Sequence, residues 1–158
     1  MKILYTDIDY VLSLASEPNM KMTKWGWVSP FNKKAVQVYN EIISKTGAEI
    51  VISSDWKTHW SLEQLQEIFV EWAGIIKPPF DVTPTIPGVI LQKLEEWRAK
   101  EILTHVKKYK LESWVAIDDL YLNSWISDEN FVWLTRVNEG IKQTGKKEEI
   151  IRKLNTHE

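Results

Sequence analysis

Apolar residues in this chain occur in two rhythms, short unbroken runs and stripes at helical spacing, and the two alternate. Ile3-Leu4-Tyr5, within Lys2 to Thr6, is a run of the first kind and predicts a buried strand. Phe31, Ala35, Val38 and Ile42 then recur at helical spacing. Ser29-Pro30 reads as the N-cap and first position of that helix, and Gly47 as its stop. Glu49 to Ser53 is a second strand ending in hydroxyls. Ser61 with Gln64 forms a capping box, and Leu62, Leu65, Phe69 and Trp72 line one helical face up to Gly74. Phe80 to Thr83 predicts a short third strand, closed by a proline-rich turn that runs to Gly88. A long helix lies between Leu91 and Tyr109, with its start and register open. Ser113 to Ile117 and Phe131 to Leu134 are the last two strands, and a final helix spans Lys146 to Leu154.

Strands separated by helices predict an α/β fold, a mainly parallel five-stranded sheet covered on both faces. At 158 residues the simplest organisation is one domain over the whole chain, 1–158. Residues 13–28 form a small insertion before the first helix, expected to be a flap rather than a separate domain, and Trp25-Gly26-Trp27 lies within it.

Composition narrows the chemistry. There is no cysteine, which excludes disulfides, thiolate catalysis and cysteine-bound zinc. No apolar run approaches membrane-spanning length and the N-terminus lacks a signal peptide's features, so a cytoplasmic protein without membrane attachment is expected. The net charge of −2 gives no general attraction to nucleic acid, and the lysine clusters read as solvated faces. Nine tryptophans are unusual. Trp25, Trp27, Trp56 and Trp60 flank the polar strand ends, either packing there or stacking on a substrate ring. His59, His105 and His157 have no metal-ligand spacing and read as surface residues.

Three predicted strands end in reactive polar groups: Asp7 with Asp9, Ser53 with Ser54, and Asp118 with Asp119. In a parallel sheet the carboxyl ends share one edge, where α/β proteins hold ligands. Asp7 and Asp9, two positions apart in extended chain, would point the same way. Carboxylates that close require a cation or a shared proton. The inventory suits phosphoryl transfer to a carboxylate, with a second aspartate moving the proton. No Gly-rich phosphate loop is present.

Asp7-Ile8-Asp9-Tyr10-Val11-Leu12 resembles the first motif of the haloacid dehalogenase-like (HAD) hydrolases, Asp-x-Asp-Gly-(Thr/Val)-Leu. Ile50-Val51-Ile52-Ser53 resembles their second motif and Val115-Ala116-Ile117-Asp118-Asp119 their fourth. Ser53-Ser54-Asp55-Trp56-Lys57, Thr83-Pro84 and Arg98-Ala99-Lys100-Glu101-Ile102 are similar to a compact branch related to the phosphatase domains of RNA-repair proteins. The resemblance covers nearly the whole chain. It implies a three-layer, Rossmann-like HAD fold with a minimal cap, and a magnesium-dependent phosphomonoesterase. On that resemblance Asp7 would be the nucleophile and Asp9 the general acid and base, lending its backbone carbonyl to Mg2+. Ser53 would hold the phosphoryl group, and Arg98 or Lys100 would supply the cation. Asp119 would bind Mg2+ directly, with Asp118 as a direct or second partner. Ser54 and Tyr10 would face a phosphorylated substrate, a nucleotide or a nucleic-acid end.

One departure is plain: Tyr10 stands where the motif has glycine. A side chain there strains a tight turn, and it could equally reach over the site. A rival expectation is therefore a non-catalytic binding or scaffold domain on the same fold. Nothing in the chain argues for a particular oligomeric state.

Overall fold

The computed structural model describes residues 1–87 and 93–156. Five parallel strands form one sheet in the order β5-β4-β1-β6-β7. They are β1 (Lys2–Thr6), β4 (Glu49–Ile52), β5 (Asp81–Val82), β6 (Ser113–Asp118) and β7 (Phe131–Trp133). The helices are α1 (Lys33–Thr46), α2 (Leu62–Glu67), α3 (Leu94–Tyr109) and α4 (Lys146–Asn155). Residues 13–28 carry an antiparallel hairpin, β2 (Lys21–Thr23) with β3 (Gly26–Val28), which the sequence did not announce.

Strand alternation divides the core in two. Leu4, Ile50, Ile52, Val115, Ile117 and Val132 face one way, onto buried residues of α1, α2 and α4. Ile3, Tyr5, Val51, Trp114, Ala116 and Phe131 face the other, onto Ala99 and Ile102 of α3. Helix, sheet and helix make three layers, as the sequence pattern predicts.

Boundaries differ where local chemistry decides. α1 is capped by Asn32, whose side chain accepts from the N–H of Ala35, so Ser29-Pro30 lies ahead of the helix. Asn caps a helix about as well as Ser does, so Asn32 can take the role three residues after Ser29. The Ser61/Gln64 capping box is present. The long helix begins at Leu94 behind Lys93, which supplies no side-chain cap. The expected start at Leu91 and the turn residue Gly88 lie outside the described residues, as does His157.

His105 is not a surface residue. Helical spacing places Arg98, Ile102 and His105 on the buried face of α3. There His105 meets the Tyr5 hydroxyl at 2.7 Å and Asp81 at 2.8 Å. His59 is exposed, as expected. Among the described residues no helix is long and apolar enough to cross a membrane.

Candidate active site

The alternation that sorts the core also builds the site. Tyr5, Val51 and Ala116 point toward α3. Two residues further along their strands stand Asp7, Ser53 and Asp118, and the period of two sends them toward α3 as well. The parallel register holds the three together: Asp7 N–H donates to Ile117 O at 3.2 Å, and Ser53 N–H to Thr6 O at 2.9 Å. α3 answers with Arg98, which is buried. One of its guanidinium nitrogens donates to Asp118 at 2.8 Å and to the Ser53 carbonyl at 2.9 Å, and lies 3.4 Å from Asp7. Asp55 approaches the other at 3.7 Å. Lys100 leaves the site, pairing with Glu96 one turn back on an exposed face.

Ligand atoms of Asp7, Asp118 and Asp119 lie within 4.8 Å of one another. Two of these three carboxylates, Asp7 and Asp118, are buried beside the Arg98 guanidinium. Burial, then repulsion from Asp118, holds the Asp7 carboxyl well above its ordinary range despite Arg98. Burial likewise pushes Asp118 up to about 6, against the pull of Arg98 and the Leu120 N–H. The set wants a further cation. Its donors are all oxygen, which fits a hard divalent ion held through Asp7, Asp118 and Asp119.

Asp9 is separate from that cluster. The chain stops being extended after Ile8, whose carbonyl accepts from the N–H groups of Val11, Leu12 and Ser13. The convergence expected from simple alternation therefore ends at Asp7, and a turn brings Asp9 back to the mouth of the site. Its carboxylate accepts from Trp56 Nε1 at 3.2 Å. Burial holds its carboxyl above the ordinary range, and the Trp56 N–H works against that shift. Tyr10 adopts φ +65°, the left-handed conformation glycine favours, so the departure from the motif is accommodated at a cost of about 1–2 kcal/mol.

Two serines divide their work. Ser54 caps the short 3-10 turn Asp55–Thr58, accepting from Trp56 N–H. Ser53 Oγ is buried and has no hydrogen-bond partner among the described residues. A buried hydroxyl left so is costly unless a ligand completes it. A small cavity of about 210 Å3, lined by Asp7, Asp9, Tyr10, Ser54, Arg98 and Asp119, opens over these groups.

The tryptophans mostly pack. Trp56 is buried edge-on to Phe31, Trp25 donates to Glu67 at 2.7 Å, and Trp60 donates to the Trp25 carbonyl. Trp27 is exposed. Sequence reasoning missed two supports. Trp133 Nε1 donates to the Asp119 carbonyl at 2.8 Å, which no local signal reveals. Gly140, at φ +51°, lies against the turn that carries Asp9. A Cβ there would stand 2.4 Å from both the Val11 carbonyl and Leu14 Cδ2. Gly140→Ala is expected to cost about 3 kcal/mol, from overpacking and backbone strain, read as a lowered denaturant midpoint.

A family model described as the HAD domain in Swiss Army Knife RNA repair proteins matches residues 3–151. The chain belongs to that family. No curated protein and no solved structure gives a significant match. Residues 3–151 of this HAD domain take in every described strand, apart from Lys2 at the start of β1, and every residue of the candidate site. In this HAD domain the segment 13–28 and its hairpin lie between β1 and α1.

Proposed function

We propose that this HAD domain is a magnesium-dependent phosphomonoesterase working through an aspartyl-phosphate intermediate. The observation that carries the reading is the Asp7/Asp118/Asp119 cluster with Arg98 at the carboxyl edge of the sheet. Asp7 attacks phosphorus through a carboxylate oxygen, and the bond to the leaving oxygen breaks. Asp9 donates the proton that oxygen needs, consistent with a carboxyl held above its ordinary range. Asp9, now ionised, takes a proton from water as that water attacks phosphorus and releases Asp7. Ser53 Oγ, which lacks a partner of its own, donates to a phosphoryl oxygen, and Arg98 fixes Asp7 and offsets negative charge. Mg2+, held by Asp7, Asp118, Asp119 and the backbone carbonyl of Asp9, would neutralise charge on the transferring group. Ser54 and Tyr10 border the substrate. Arg98 takes the cation's role, because Lys100 faces away.

The substrate we favour is a nucleotide or a nucleic-acid end, which rests on the family's description as part of RNA repair proteins. The rival, a non-catalytic binding domain, rested on Tyr10. With φ +65° the tyrosine keeps the turn that glycine would make, which weakens that argument.

The test is phosphate release from p-nitrophenyl phosphate, nucleotides and 3′- or 5′-phosphorylated oligonucleotides, with and without Mg2+. Release that requires Mg2+ and vanishes in Asp7→Asn is the expected result. A folded, magnesium-binding protein that releases phosphate from none of them would favour the binding domain.

A further inference from the structure

A cavity of about 610 Å3 is lined by Asp9 and not by Asp7, Asp118 or Asp119. Asp9 and Tyr10 line both this cavity and the small one over Asp7. Its other walls include Leu14, Glu17, Asn19 and Met20, from the segment between the catalytic turn and the hairpin. If Asp9 protonates the leaving oxygen, that oxygen lies within hydrogen-bonding reach of Asp9, and the rest of the leaving group must occupy space beyond it. This cavity provides such space, and its volume is that of a small-molecule site.

The lining says what kind of leaving group fits. While Asp9 holds the proton it is to donate, the charged residue on it is Glu17, with no lysine or arginine among the described lining residues. The Glu17 carboxylate is fixed in place by the amide of Asn32, the N-cap of α1. A second phosphate brought against this wall would meet like charge. The side chains of Asn19 and of Ser29, which also lines the cavity, hydrogen-bond to no group among the described residues and are open to a ring edge or a sugar hydroxyl. Tyr10 and Met20, both largely exposed, offer apolar surface for a flat ring. Tyr10 holds that place in a backbone conformation that disfavours side chains, and such strain is retained where the side chain has work to do.

We infer that this cavity is the leaving-group subsite, that it accepts a nucleoside carrying no charge beyond the scissile phosphate, and that Tyr10 is its specificity residue. The inference rests on the phosphatase reading above. The nucleoside is therefore that of a free mononucleotide, because a strand's next phosphate would stand where the second phosphate of a bisphosphate does.

The test pairs kinetics with binding. Substrates are p-nitrophenyl phosphate, 3′- and 5′-nucleoside monophosphates, nucleoside 3′,5′-bisphosphates, and a short oligonucleotide ending in a phosphate. The same nucleotides are titrated calorimetrically into the Asp7→Asn protein with Mg2+. The bisphosphate is expected to show kcat/KM about tenfold below the monophosphates and correspondingly weaker binding, a gap that Glu17→Gln narrows. Tyr10→Gly suits the local backbone, so the variant should fold, and it is expected to raise KM for nucleotides about tenfold more than for the aryl phosphate. Turnover of the mononucleotide in preference to the oligonucleotide is expected; turnover of the oligonucleotide at the mononucleotide's rate would overturn the inference, because its next phosphate stands where the bisphosphate's second one does. Bisphosphate bound as tightly as monophosphate, or Tyr10→Gly shifting both substrate classes by one factor, would overturn the inference while aryl phosphate is still hydrolysed. Absence of all turnover would instead overturn the phosphatase reading, and the leaving-group role with it.

Discussion

Asp7→Asn is expected to lower phosphate release by on the order of 10⁴-fold or more and to raise the stability of the magnesium-free protein. The first effect follows because an amide oxygen cannot form and later release an acyl phosphate. The second follows from the site's own charges. Asp7 and Asp118 are buried at 4% and 1% exposure, and Arg98 is the cation placed between them. Asn keeps the oxygen that accepts from the Ile8 N–H and removes one of the repelling charges. Activity and stability should therefore move in opposite directions, a pattern seen where a site is kept for function rather than for folding.

Burial of these carboxyls sets a pH dependence. It pushes Asp118 up to about 6 in the folded protein, against 3.8 ordinarily, and raises Asp7 well above the same ordinary value. Above the ordinary value the folded state binds more protons than the unfolded state, so magnesium-free stability falls as pH rises until both carboxyls are ionised in the folded protein. A thermal midpoint measured from pH 4 to 8 in chelator should fall as pH rises, with Mg2+ flattening the fall. A midpoint that rises over that range, or one indifferent to Mg2+, would contradict the charge assignment.

Arg98→Ala is expected to cost about 3–5 kcal/mol, because it strands Asp7 and Asp118 without their counter-charge. That is a large fraction of a typical domain's stability. Urea denaturation should show the loss, and Mg2+ should recover part of it by supplying positive charge to the same carboxylates. Arg98→Lys keeps the charge but gives up the planar fork that reaches Ser53 O and Asp118 together. It should lose turnover by about 10²-fold with a smaller stability loss. Lys100→Ala, on an exposed face, should change stability by no more than about 0.5 kcal/mol. Equal effects at positions 98 and 100 would mean that the register of α3 is not as described.

Much of this arrangement was present in the chain as a pattern. Runs such as Ile3-Leu4-Tyr5 and Val115-Ala116-Ile117 predicted strands, the helices between them made those strands parallel, and the polar residues at their ends located the site. Motif resemblance then attached roles to Asp7, Asp9, Ser53, Asp118 and Asp119. These features are legible because they depend on local periodicity and on the single rule that parallel strands share a carboxyl edge.

What the sequence could not decide was which side chains meet. The choice between Arg98 and Lys100 turns on the register of α3, whose start at Lys93 carries no capping side chain to announce it. His105 read as a surface residue for the same reason, until one helical face proved to hold Arg98, Ile102 and His105 together. The Trp56 hydrogen bond to Asp9 and the Trp133 hydrogen bond to Asp119 join residues far apart in the chain, and so does the close approach of Gly140 to Val11. Sequence alone determined the five strands of the main sheet, their order of appearance and the residues at their ends, but not the β2–β3 hairpin. Tertiary structure decided the partners, because contacts between distant segments are fixed by how faces pack and not by the spacing of residues along the chain.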